Sequence, residues 1–233
     1  MLIAAHFLAL GVATIIFFWM IYLHRRAQKS EAIAAQIPKQ ISIAPFFPQR
    51  PVTWIAIRSA TSEAVQSALG LSRSVPCSWS DGMAGAHEFF ISPRVNGWVI
   101  VTGLALPTPD DEVDACFLFL TALSRKVGHV QFFHAEKFTH HHAWARLDDG
   151  CVTRAYAWAG KTVWNQGAKT LPEARLRLKC FEYGDDSATN EIAGDNFEKV
   201  AELAARWSFD PAAVDEHLLN QAGGMAGELS QLY

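Results

Sequence analysis

DDEVDACFLFLTALSRKVGHVQFFH, residues 110–134, reads as a helix, a stop and a strand. Acids open the segment and Arg125-Lys126 close it, the arrangement a helix dipole favours. Apolar residues recur between them at helical spacing. Gly128 then ends the helix, and the alternating His129–His134 run predicts a strand. Upstream, His87–Ser92 and Trp98–Gly103 are apolar runs joined through Asn96-Gly97, a strong hairpin signal. Before them, Val52–Arg58 reads as a strand. A helix ending near Leu69 follows it, with Thr61 as N-cap and Gly70 as stop. Downstream, Ala143–Leu147 and Cys151–Trp158 flank the turn Asp148-Asp149-Gly150, and Thr162–Asn165 adds a third strand. A helix over about Asn196–Trp207 and a turn at Asp210-Pro211 follow, and Gly223, Gly224 and Gly227 predict a loose tail.

The order β-α-β-β-α-β, then a β-meander and a C-terminal helix, predicts an α+β domain with a mixed or antiparallel sheet. Its first six elements match a ferredoxin-like split βαβ unit. A chain of 233 residues with 8 Trp and 15 Phe has ample material for one such core. The expected organisation is an anchor over 1–26, a linker over 27–51 containing Pro38, Pro45, Pro48 and Pro51, and one domain over 52–233 with an acidic C-terminal region.

Residues 2–23 carry no formal charge. As a helix they would span roughly 33 Å, enough to cross a bilayer. A signal peptide would have a shorter apolar run, basic residues before it and a small-residue cleavage site after it. Here Trp19 and Tyr22 lie at the end of the run and His24-Arg25-Arg26 follows directly. The reading is a retained N-terminal transmembrane helix. The positive-inside bias then places a single-pass protein in the inner (cytoplasmic) membrane with its domain facing the cytoplasm. Cys77, Cys116, Cys151 and Cys180 are widely spaced, have no CxxC pattern, and are expected to be reduced there.

The net charge of −3 hides an asymmetry. Residues 1–30 carry three basic residues and no acid, and 31–180 carry 15 basic against 12 acidic. Residues 181–233 carry 11 acidic against 2 basic, a net −9. That end disfavours nucleic acid and favours a basic protein partner. Asp185, Asp186, Glu191, Asp195 and Glu198 are the partner-binding candidates, although an ordinary solvated face would look the same.

Four histidines, 134, 140, 141 and 142, fall close together. On a strand His140 and His142 would share one face, and His134 or Glu136 could complete a zinc site. His134, His140 and His142 are therefore the metal candidates, with an exposed histidine-rich turn as the plainer reading. Ser78, Ser80 and Asp81 match no nucleophile elbow, and Gly82-Met83-Ala84-Gly85 lacks the Lys of a P-loop. The strand tryptophans read as core. No cofactor is implied.

Several stretches carry a resemblance: Asn96–Val101, Leu120–Gly128 leading to Val130–Phe133, His142–Arg146, Arg154-Ala155-Tyr156 and Trp207–Pro211. Over about Trp54–Pro211 the chain resembles an uncharacterised bacterial single-domain family, loosely like immunity proteins, which carries over no activity or site residue. The expectation is a membrane-tethered, non-enzymatic protein-binding domain, immunity-like in neutralising a toxin. The alternatives are a zinc-dependent hydrolase built on the histidine cluster and a structural subunit of a membrane assembly.

Overall fold

The computed structural model describes residues 50–58, 61–185, 190–214 and 223–229. The chain divides into units Met1–Phe46 and Phe47–Tyr233, and every described residue belongs to the second. The expected transmembrane helix at 2–23 lies outside the described residues. Among those residues no helix is long and apolar enough to cross a membrane.

The described strands are β1 Thr53–Arg58, β2 Leu71–Cys77, β3 Phe89–Ile91, β4 Trp98–Thr102, β5 Val130–Ala135, β6 His142–Asp148, β7 Cys151–Trp158, β8 Thr162–Gln166 and β9 Gly224–Leu229. The helices are α1 Ser62–Leu69, α2 Trp79–Met83, α3 Pro109–Val127, α4 Leu171–Arg175 and α5 Asn190–Trp207, with a 3-10 turn at Pro211–Ala213. All nine strands form one sheet in the order β2-β9-β3-β4-β1-β5-β6-β7-β8. Every pairing in it is antiparallel.

This overturns the expected fold class. The sheet is not mixed, it has nine strands, and β2 and α2 interrupt the expected β-α-β-β-α-β order. A strand, β2, and a short helix, α2, stand where the sequence suggested only loop, because Leu71–Cys77 alternates weakly and contains Pro76. The tail expected to be loose contributes β9, wedged between β2 and β3. Its glycines answer to packing: a Cβ on Gly224 would lie 2.5 Å from the Phe90 ring and 2.7 Å from the Ile91 carbonyl oxygen. Glycine is the residue that permits such a close approach.

Individual elements follow local chemistry more faithfully. Thr61 caps α1 by accepting from the Ala64 N–H, and Gly70 ends it in the left-handed region at φ 69°. In α3, Pro109 occupies the first turn and Glu112 (φ −155°) is extended, which sets that turn apart from the rest of the helix. Strand β1, central among the nine, is buried over Thr53–Ile57.

The sheet has two unlike faces. One is mainly aliphatic: Ile55, Ile57, Val99, Val101, Val130 and Leu147 pack with Val65 of α1 and Cys116, Leu120 and Leu123 of α3. The other carries Trp54, Phe133, Trp144, Tyr156 and Trp158 beneath Val200, Leu203 and Ala204 of α5. The tryptophans at 54, 79, 144, 158 and 164 are buried, in keeping with a core role. The edges are closed differently. β2 has a register shift between Ser72 and Val75 and a proline at 76. On β8, the Tyr183 hydroxyl accepts the Asn165 N–H at 2.7 Å. Both are ways of blunting a sheet edge.

Candidate functional site

The β5–β6 hairpin fixes the histidines. His134 is opposite Ala143, and Ala135 is opposite His142. Side chains alternate along a strand, so His134 faces the aliphatic side with Phe132, and His142 faces the aromatic side with Trp144. The sheet itself separates these two metal candidates. His140 lies in the turn between the strands, exposed and at φ 56°, with its ring 6.4 Å from Phe197 of α5. The trio is not brought together. Among the described residues no group of three His, Cys, Asp or Glu side chains is arranged to hold a metal ion.

His142 is fully buried. The Asn196 amide donates to its Nε2 at 3.2 Å, so that nitrogen is the acceptor and the ring is neutral. Its Nδ1–H then donates to the His140 carbonyl at 2.8 Å. Burial, only partly offset by that bond, lowers its pKa to about 4. Asn196 also accepts the Lys179 N–H at 2.9 Å and donates to the Lys179 carbonyl at 2.6 Å. His142 thus helps tie α5 to the sheet, and its one lone pair is already used.

His134 belongs to a different group. The Thr53 hydroxyl lies 2.8 Å from His134 Nδ1. His134 Nε2 lies 3.9 Å from Asp110 Oδ1, and Asp110 Oδ2 lies 3.3 Å from His141 Nδ1. Burial alone would raise the Asp110 pKa, but the Thr108 hydroxyl, His134 and His141 outweigh it and hold the carboxyl below its ordinary value. Thr53 also lines a cleft of about 530 Å³, with Thr102, Thr108, Val52, Met83 and Leu106. Arg50 lines it too, held by Asp210 through contacts of 3.0 and 2.6 Å. The sequence run of histidines pointed to His134. It could not show that strand register and the first turn of α3 would supply Thr53 and Asp110. At 3.9 Å the imidazole and carboxylate are too far apart for a hydrogen bond, so what the group joins directly is β1 to β5, through Thr53 and His134.

Ser78, Ser80 and Asp81 serve α2. The Ser78 hydroxyl accepts the Asp81 N–H at 3.1 Å and donates to the Asp81 carboxylate at 2.6 Å. Gly82 is required by contact, since a Cβ there would lie 2.2 Å from the Phe90 ring.

The acidic candidates divide. Asp185 is exposed after the Tyr183-Gly184 turn, and Asp186 lies outside the described residues. Glu191 falls on α5. Asp195 and Glu198 are exposed on that helix, as is Glu202, which the sequence reading did not single out. Positions 195, 198 and 202 recur at helical spacing, so they form one stripe opposite Val200 and Leu203. Asp195 pairs with Lys179 at 3.3 Å and Glu202 with Arg206 at 3.6 Å. Both pairs are exposed and hold little energy. The stripe therefore remains available to a cationic surface.

Comparison with protein-family models, with curated proteins and with solved structures finds no match.

Proposed function

We propose that this chain is a non-enzymatic protein-binding domain, attached to a membrane through residues 2–23, and that it docks a basic partner on the solvent face of α5. The observation that carries this reading is the stripe of Asp195, Glu198 and Glu202. These acids are presented together by a helix whose other face is fixed in the core by Val200, Leu203 and Ala204. A rigid helix holds such charges in register, which favours fast, selective association with a positive surface. Helices cover parts of both faces of the sheet, so the buried aromatic residues offer no flat docking surface of their own. The resemblance to immunity proteins makes a toxin the first partner class to test, and tethering would raise its effective concentration at the membrane.

The test is a pull-down with the full chain from native membranes, comparing wild type with a variant carrying Asp195→Lys, Glu198→Lys and Glu202→Lys. The expected result is one basic protein retained by wild type, released by raised salt, and lost with the variant. Equal recovery by both proteins would overturn the docking face. Replacing residues 1–26 with an unrelated anchor should leave recovery unchanged.

A further inference from the structure

At the end of the sheet away from the cleft, the aromatic face holds a cation that no carboxylate among the described residues pairs. Arg146 on β6 is directly opposite Arg154 on β7. Like charges so placed repel, and they are resolved unequally. Arg154 is buried with Glu173, its Nε 2.8 Å from Oε1. Asp148 shares the strand face of Arg146, but it accepts from His129 Nδ1. Among the described residues no carboxylate lies within ion-pair distance of Arg146. Its guanidinium carbon lies over the Trp207 ring, 5.3 Å from the centroid, and its Nε is buried without a hydrogen-bond partner.

Two neighbouring atoms share that condition. Gln131, opposite Arg146 on β5, is 1% exposed. Its amide nitrogen donates to the Trp207 carbonyl at 3.1 Å and to His129 Nε2 at 3.0 Å. Those acceptors fix the amide's orientation, and among the described residues Gln131 Oε1 is left buried without a donor, as Trp207 Nε1–H is without an acceptor. Buried polar atoms are almost always paired, and three of those left over here, one of them the cation's own Nε, lie together at this corner. Trp98 and Trp207 are also half-buried, unlike the five buried tryptophans. Trp98 packs edge-on against His129 at 5.5 Å.

We infer that this corner is a binding site for a small planar carboxylate. Its acid oxygens would take the Arg146 guanidinium and the Trp207 indole N–H, and its ring would lie beside Trp207. Guanidinium suits this because its planar fork matches a carboxylate while its face stays stacked on an aromatic ring. The orphaned atoms are closed to solvent here, so entry moves the Trp207 indole, which stands on the last residue of α5. The site is separate from the acidic stripe, and its outcome does not depend on that docking face.

The experiment follows the indole N–H signals of the full chain labelled with 15N-tryptophan during titration with benzoate, acetate and inorganic phosphate. Benzoate should shift the Trp207 signal, assigned with Trp207→Phe, and saturate with a Kd on the order of 1 mM or tighter. Arg146→Gln should weaken binding at least about tenfold while the other indole signals stay in place, and Arg146→Lys should recover only part of it. A Trp207 signal unmoved by benzoate, or binding unchanged in Arg146→Gln, would overturn the site. Tighter binding of phosphate than of benzoate would overturn the carboxylate assignment. If Arg146→Gln disturbs the fold, Gln131→Glu is the second arm. A carboxylate there repels the ligand, so retained affinity would equally refute the inference.

Discussion

The two faces of the sheet solve burial in different ways. The aliphatic face is filled mostly by hydrocarbon side chains that need nothing beyond contact, with the Trp164 indole and the His134–Thr53 pair among them, and α3 runs across β5 to β8 to close it. The aromatic face is built from indoles and a phenol, whose polar ends must be satisfied wherever they are buried. Glu173 therefore accepts from the Trp144 indole at 2.8 Å as well as from Arg154, and closes a capping box with Thr170 on α4. The Tyr156 hydroxyl accepts the Phe181 N–H at 3.3 Å. Aromatic packing thus brings polar partners into the core beside the rings themselves. Both the neutral His142 and Arg146, which no carboxylate among the described residues pairs, lie on the aromatic side.

The contrast can be broken most forcefully at Glu173. Glu173→Ala strands Arg154 as a buried unpaired cation and should cost about 3–5 kcal/mol in urea unfolding. The double change Arg154→Met with Glu173→Leu should be markedly milder than the single one. A single change no worse than the double would show that the pair is not held in a dry core. On the aliphatic face, Leu120→Ala creates only a cavity and should cost about 3 kcal/mol, with no rescue by a charge partner.

Acid should act on the aromatic face first. His142 has a folded pKa of about 4 against an ordinary 6.5, so between those values the unfolded chain binds the extra proton. Its contribution is complete above about pH 6.5 and is lost as pH falls towards 4. The loss by pH 5 should be about 2 kcal/mol. In His142→Gln this slope should disappear from the unfolding free energy between pH 7 and 5. Asp110 marks the other face and a lower window: its pKa is lowered, so its contribution is present above the ordinary carboxyl value and disappears only as pH falls through the lowered one. The smallest effect belongs to the α5 stripe. Glu198→Gln should change stability by less than about 0.5 kcal/mol while weakening capture of the basic partner.

Much of the local structure was legible because it depends on nearest neighbours. Thr61, Gly70 and Gly128 mark helix ends wherever the rest of the chain goes, and Asn96-Gly97 turns regardless of which strands lie beyond. Assembly was not legible in the same way. Nothing in Leu71–Cys77 announces a strand until Gly224–Leu229 pairs with it, and those glycines read as slack until Phe90 is seen against them. The histidine cluster failed for a related reason. Closeness in sequence brought His134 and His142 to one hairpin, but a strand's twofold period turned them to opposite sides. Glu173 and Asn196 were missed because a capping carboxylate and a helix amide carry no sign that they will be buried.

The insertion of β9 between β2 and β3 has a consequence for how the chain is made. β2 is synthesised early, yet its hydrogen-bonding neighbour follows after all the other described elements. During elongation on a ribosome, Leu71–Cys77 can find no native neighbour in the sheet, while the hairpins from β5 to β8 can already close locally. Pairings so distant in sequence are slow to form, and a strand kept waiting is open to wrong associations. A chain stopped just before Gly224 should therefore keep β1 and β4–β8 together and lose β2, which makes the final strand the step that commits the domain to its complete topology.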